Sequence, residues 1–269
     1  MIMNKSTPIS SLLVLLLTTL VAHAAAPAEY RMLWQDPFDG DKLDESKWTA
    51  VVGPRKGGQN VADAARVKDG VLTITTYTKD GKHCTGFLTT KGKFETAYGY
   101  FEAAVRFHTT PGQWGAFWLQ SPTVGKPPGD PATAGTEIDI VEHRASDNKG
   151  NDISDMFVIN LHWDGYGKDH KTVGTKIAPT SIAKPLPGEW HHYGLKWTPE
   201  RYTFYYDGKE RWSTTNAVSR RSEYILLTCE VQDKGWAGNC PAEGYGSLAD
   251  SKTTMEVDWV RVWQIPPQP

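Results

Sequence analysis

Thr136-Glu137-Ile138-Asp139-Ile140-Val141-Glu142-His143 constrains the fold more than any other stretch of the chain. The β-branched Ile138, Ile140 and Val141 favour an extended backbone. On a strand, successive side chains point to opposite faces. Glu137 and Asp139 therefore share one face, while Ile138 and Ile140 turn towards a core. Strict alternation would carry Glu142 to the apolar side, where an unpaired carboxylate is costly. One extra residue near Ile140-Val141, a β-bulge, restores the parity. Glu142 then joins Glu137 and Asp139 on one open, acidic face.

Three carboxylates on one face suit glycoside hydrolysis, in which two carboxyl groups flank the scissile bond, about 5–5.5 Å apart in retaining enzymes. The Cα atoms of Glu137 and Glu142 are expected roughly 13–16 Å apart at ~3.3 Å per residue. Two inward-leaning glutamates close most of that gap, and Asp139 between them can set the protonation of the nucleophile. A solvated acidic edge strand rarely alternates so cleanly with Ile and Val. A metal cluster is disfavoured because no His/Cys pair sits at ligand spacing.

The rest of the chain reads as β structure. Runs at Val71–Thr75, Gly86–Thr90, Tyr98–Phe107, Gly115–Leu119, Val158–Trp163, Trp190–Trp197, Tyr202–Tyr206, Lys209–Ser213, Tyr224–Val231 and Met255–Trp263 carry the apolar character or alternation of strands. Asp207-Gly208 marks a hairpin. No stretch keeps a helical period over ten or more residues, so the strands predict a sandwich. Residues 121–135, 145–157, 164–188 and 232–252 read as irregular stretches that wall a cleft.

Met1 to Ala24 has a basic start at Lys5, a short apolar run and small-residue cleavage sites, as an export signal does. The run is too short to span a bilayer comfortably. Residues 25–269 are expected to form one domain, acting as a monomer outside the cytoplasm. The formal net charge of −2 with 22% charged residues leaves no basic footprint for nucleic acid. Eleven tryptophans supply flat apolar platforms with a polar edge, suited to stacking on sugar rings. Cys229 and Cys240 flank a Gly-containing loop and are expected to pair in an oxidising compartment, leaving Cys84 free.

Glu-Ile-Asp-Ile-Val-Glu resembles the Glu-x-Asp-x-x-Glu signature of glycoside hydrolase family 16, in its bulged-strand branch of laminarinases, agarases and carrageenases. Other stretches resemble the family in the same order. Gln113-Trp114-Gly115-Ala116-Phe117-Trp118 is similar to its Trp-Pro-Ala-Phe-Trp element, with Gly115 in place of Pro; the resemblance implies cleft aromatics at Trp114 and Trp118. Asn160-Leu161-His162-Trp163 resembles the strand after the catalytic one, which implies that Asn160 and His162 face the cleft, with His162 bonding a sugar or tuning Glu142. Trp190-His191-His192-Tyr193-Gly194-Leu195-Lys196-Trp197 resembles the strand before the family's hairpin, with Lys196 where many members carry Glu. Adjacent His191 and His192 face opposite ways and do not share a metal ion.

Val257-Asp258-Trp259-Val260-Arg261 resembles the C-terminal strand of the family, and implies a structural calcium held by Asp258 and the carbonyl of Gly70. Glu102-Ala103-Ala104 departs from the family's Glu-x-Arg.

The expectation is therefore an all-β jelly-roll sandwich of two antiparallel sheets, with a cleft crossing the concave one. The implied activity is retaining endo-hydrolysis of a β-linked polysaccharide. Glu137 is the nucleophile, Glu142 the general acid/base and Asp139 the assisting carboxylate, with no cofactor for catalysis. A neutral β-1,3- or mixed β-1,3/1,4-glucan is the expected polymer, since no strong Lys/Arg cluster stands out. The rivals are a galactan-directed hydrolase or transglycosylase on the same fold, and a lectin-like binding module.

Overall fold

The computed structural model describes residues 30–178 and 187–265. The export signal expected at Met1 to Ala24 lies outside them. Two eight-stranded antiparallel sheets dominate, with a smaller four-stranded sheet beside them. One large sheet, the cleft sheet, runs in the order Lys171–Ile177, Phe157–Trp163, Glu137–Arg144, Gln113–Gln120, Glu223–Val231, Phe87–Thr89, Thr49–Ala50. The back sheet runs Lys209–Thr214, Tyr202–Tyr206, His191–Trp197, Gly99–His108, Thr254–Gln264, Val71–Thr75, Ala65–Lys68. Long-range antiparallel pairing of this kind is the jelly-roll arrangement the strand pattern predicts.

Alternation builds the core between the sheets. Phe117, Leu119, Ile138, Ile159, Leu161, Ile225 and Leu227 point inward from the cleft sheet. Phe101, Val105, Phe107, Leu195 and Trp197 meet them from the back sheet. Each fully buried side chain of this size contributes about 1.5–3 kcal/mol. That inward packing fixes which residues face outward, and so places the acidic face.

Three features go beyond the sequence reading. Lys171–Ile177, inside the stretch read as irregular, is a strand. Among the described residues it pairs only with Phe157–Trp163, and it is mostly exposed, so a polar edge strand left no apolar run to detect. Gly58–Asn60 pairs in parallel with Lys82–Thr85 in the small sheet, a mixed pairing that antiparallel alternation does not announce. Residues 121–135 contain one helical turn, Pro131–Ala134, capped by Asp130 Oδ1 accepting from the Thr133 amide at 3.1 Å.

The expected Cys229–Cys240 bridge is absent: all three cysteines are free. Cys229 faces the core and is fully buried, with Sγ near the Ile74 carbonyl. Cys240 lies on a loop, its sulfur against Gly112, where a positive φ of 81° leaves no room for a side chain. The strand's own alternation turns Cys229 inward, away from the cleft-side loops.

Candidate active site

The acidic strand Glu137–Arg144 lies between Gln113–Gln120 and Phe157–Trp163. Against both neighbours its register slips around Ile140. Val141 pairs with Phe117 and Asp139 with Trp118, and on the other side the slip falls between Asp139 and Glu142. This is the expected bulge. Ile138, Ile140 and Val141 are buried, whereas Glu137 and Glu142 are half-open. His143 follows inward, stacked 5.0 Å from Phe107, and burial depresses its pKa to about 4.

Glu137, Asp139 and Glu142 line one cleft of about 660 Å³. Glu137 Oε2 accepts a hydrogen bond from Gln120 Nε2 at 2.6 Å and another from the Tyr166 hydroxyl. Gln120 is itself oriented by Tyr224, whose hydroxyl donates to Gln120 Oε1 at 2.8 Å. Asp139 is only 4% exposed. Burial, with the charges of Glu137 and Glu230, raises its pKa well above the usual range. Glu142 is also raised, by burial first and by the charge of Asp139, against a hydrogen bond from Asn160. Asn160 Nδ2 donates to Glu142 Oε2 at 3.1 Å. His162 Nε2 lies 3.3 Å from Asp139 Oδ2.

A proton is thus held on the buried carboxyls, while Glu137 sits under two neutral donors. Such a site offers one stabilised carboxylate and one carboxylic acid on the same strand. That is the division of labour that two-step glycoside cleavage needs.

All seven residues expected at the cleft line it. Trp114 meets Trp236 edge to face at 5.6 Å, and the Arg144 guanidinium lies 3.8 Å over the Trp236 ring. Trp118 donates from Nε1 to Thr228 Oγ1 at 3.0 Å and meets Phe87 edge-on. Asn160 and His162 touch the acidic trio, at Glu142 and Asp139. His162 lies against Asp139, with its Nε2 3.3 Å from Oδ2. His191 is buried and His192 is not, which confirms their opposite directions.

Gln120, Tyr166, His170, Glu230 and Trp236 also line the cleft and were not singled out from sequence. Gln120 lies two residues beyond Trp118 on the same face, so parity alone points to it. Tyr166 and Trp236 come from irregular segments with no period to read. Arg55, Lys56 and Lys91 also line the cleft. Arg55 pairs with Glu230 and lies over Phe87, and Lys91 lies over Tyr224.

An acidic, bulged strand across the cleft of a two-sheet jelly roll defines a class, the jelly-roll glycoside hydrolases. Residues 34–265 match the family model described as beta-porphyranase A-D, GH16 domain. The chain belongs to glycoside hydrolase family 16. It is 29% identical over 244 residues to endo-1,3-1,4-beta-glycanase EglC of Rhizobium meliloti, covering 86% of this chain and 46% of that protein. It is 26% identical over 252 residues to beta-porphyranase B of Zobellia galactanivorans, covering 86% and 82%. The solved endo-beta-1,3-glucanase of Pyrococcus furiosus shares the fold with a TM-score of 0.69 at 22% identity, covering 87% and 94% of the two chains. The chain spans less than half the length of EglC and of the glucan endo-1,3-beta-glucosidase A1 of Niallia circulans.

Proposed function

We propose that the protein is a retaining endo-hydrolase of a β-linked polysaccharide, with a β-1,3- or mixed β-1,3/1,4-glucan as its polymer. The observation that carries this reading is the bulge at Ile140, which puts Glu137, Asp139 and Glu142 in one cleft. Glu142, kept protonated by its buried setting, gives its proton to the leaving glycosidic oxygen. Glu137, held by Gln120 and Tyr166, attacks the anomeric carbon and forms a glycosyl ester. Ionised Glu142 then takes a proton from water, and the resulting hydroxide displaces Glu137. Asp139 carries a proton beside Glu137 while that group is anionic. Glycanases and glucanases among the relatives support the substrate class.

A second reading has its own observation. The matching family model is of porphyranase type, and Arg55, Lys56 and Lys91 stand along the cleft, where they would favour a galactan bearing anionic groups. A panel of laminarin, mixed-linkage glucan, agarose and porphyran separates the two, read by reducing-sugar release and product chromatography. Proton NMR of the first product tests the mechanism: a β-linked substrate yields β anomer. First release of α anomer overturns the role of Glu137, and binding without release favours a lectin.

Export from the cytoplasm belongs to the same proposal. No helix among the described residues is long and apolar enough to cross a membrane. A calcium ion fits the back sheet. Asp258 is exposed at a bulge in Thr254–Gln264. Val257 beside it pairs with Leu72, two residues after Gly70, which supports that reading. A carboxylate and a turn carbonyl are ligands that calcium accepts. The ion's part there is structural, and added calcium is expected to raise the unfolding temperature, with no gain in Asp258→Ala.

A further inference from the structure

Asp139 is buried beneath the two catalytic glutamates, yet it is joined to the surface by two imidazoles. His162 Nε2 faces Asp139 Oδ2 at 3.3 Å. On the other side of the same ring, His162 Nδ1 lies 2.9 Å from His170 Nε2. The ring centroids are 5.1 Å apart and the planes differ by 13°. A centroid separation so much longer than the N···N distance puts both rings in one plane, with the hydrogen bond running through both centres. His170 is exposed, so its far nitrogen, Nδ1, belongs to the solvent side.

The ring pair is held firmly. His162 sits on the strand Phe157–Trp163, opposite Glu137 on one side and Thr172 on the other. The His170 amide donates to the Gly167 carbonyl at 3.2 Å. The turn that carries His170 is anchored by Lys171 on Asp164 at 2.7 Å, and Asp164 in turn accepts from the Gly129 amide at 2.7 Å. The Tyr166 ring packs 5.9 Å from His170. Asp139, Glu137, Glu142 and, beyond them, Glu230 form the acidic side of the pair. Lys168, Asp169 and the Asp164-bound Lys171 flank its solvent side.

An N···N hydrogen bond holds one proton, which either ring can own. Two registers follow. In the first, Asp139 is a carboxylic acid donating to His162 Nε2, His162 Nδ1–H donates to His170 Nε2, and His170 Nδ1–H faces water. In the second, Asp139 is a carboxylate accepting from His162 Nε2–H, His170 Nε2–H donates to His162 Nδ1, and His170 Nδ1 is bare. Passing between them moves one proton from Asp139 to water: each ring gains a proton at Nε2 and loses one from Nδ1, with no free charge left on the rings.

We propose that His170, acting through His162, is the positioning residue that exchanges the proton of Asp139 with solvent during turnover. The proposal rests on the retaining reading of Glu137 and Glu142. While Glu137 is anionic, an adjacent carboxylate is unfavourable and Asp139 keeps its proton. When Glu137 becomes a neutral glycosyl ester, its charge is gone from beside Asp139 and the proton exchanges with water through the two rings, while the charge of ionised Glu142 keeps the Asp139 carboxylate short-lived. Hydrolysis of the ester restores the Glu137 charge, and a proton returns by the same route. His170 lines the same cleft and is exposed there, which gives the route its contact with water.

The test uses His170→Phe, which keeps a flat ring without nitrogens, and His170→Gly, which leaves a gap. On the best polysaccharide of the panel, kcat is expected to fall about tenfold in both, less than the 10²–10⁴ of a direct acid–base group, with KM unchanged. Imidazole in solution is expected to restore His170→Gly and not His170→Phe. Solution NMR of the ¹⁵N-labelled full chain gives a readout independent of turnover: Asp139→Asn is expected to lock one tautomer at both His162 and His170. Unchanged kcat, or a raised KM without imidazole rescue, overturns the relay and leaves a substrate contact or a structural ring. Tautomers at His170 that ignore Asp139→Asn overturn it as well. Failure of the unmutated enzyme to release sugar, with the NMR coupling intact, instead counts against the hydrolase reading alone.

Discussion

At the scale of single residues, the acidic trio separates by environment. Burial raises Glu142 and Asp139, while Glu137 receives hydrogen bonds from Gln120 and Tyr166. Glu142→Ala removes the proton donor, which matters most for a poor leaving group. That variant is expected to lose polysaccharide cleavage by 10²-fold or more. It should still form a glycosyl ester with an activated aryl glycoside, and azide should then release a β-glycosyl azide. Glu137→Ala should form no ester with any substrate, as mass spectrometry of the intact protein would show. Tyr166→Phe keeps the ring at the cleft rim and deletes one donor to the nucleophile. Loss of a hydrogen bond to a charged group costs about 1.5–3 kcal/mol, so kcat/KM is expected to fall by roughly ten- to a hundredfold, while an unaltered value would show that Gln120 alone suffices. The trio was legible in the sequence because parity and β-branching fix the faces of Glu137 and Asp139. Tyr166 was not, because a side chain in an irregular loop has no alternation to follow and its partner is 29 residues away.

At the scale of elements, the site depends on one bulge and one edge. The bulge was readable from Glu142, since only an extra residue keeps that carboxyl out of the core. The edge strand Lys171–Ile177 was not readable, since it is polar and pairs on one side. It nevertheless reaches the chemistry. Gly174 lies opposite Asn160, and a Cβ there would meet Asn160 Oδ1 at 2.0 Å and the Ile159 carbonyl at 2.3 Å. Gly174→Ala must therefore displace either the strand or the amide that donates to Glu142. The expected outcome is a destabilisation of about 1–3 kcal/mol by overpacking and a basic limb of the pH–rate profile moved upward, because Asn160 lowers the pKa of Glu142. A variant with normal stability and an unmoved limb would show that the edge yields freely. Deleting Ile140 is the sharper change. It removes the extra residue, and strict alternation then leaves Glu142 two positions after Asp139 on the same acidic face, so cleavage is expected to be weakened by the altered register and not abolished by inversion of Glu142.

Across the whole molecule, both sheets hold a buried carboxyl that the folded state keeps protonated, and this couples stability to pH. Glu223, on the cleft sheet, is raised to about 8 by burial, despite a hydrogen bond from the Thr136 amide. Glu102, on the back sheet, is raised to about 8 for the same reason, with the Tyr100 hydroxyl and Arg261 opposing. In the unfolded chain both titrate near 4.5. Between about 4.5 and 8 the folded state therefore binds more protons than the unfolded state, and stability falls as pH rises through that window. The contribution is fully present below about 4.5 and gone above about 8. On the proposed mechanism Glu142 must also be protonated to act, so activity and stability decline in the same direction. Glu223→Gln separates them. The amide keeps an oxygen for the Thr136 amide and cannot ionise, so the variant should match the parent near pH 4 and exceed it at pH 8 by on the order of 3 kcal/mol. Glu223 bonds the Thr136 amide and none of the acidic trio, so the pH–rate profile should move far less than the stability curve. Denaturant unfolding at several pH values, alongside kcat/KM at the same values, reads both quantities. If the two proteins keep a constant stability difference across pH, Glu223 is not the titrating group. If instead the rate profile moves with the stability curve, the alkaline loss of activity reports unfolding and not the ionisation of Glu142.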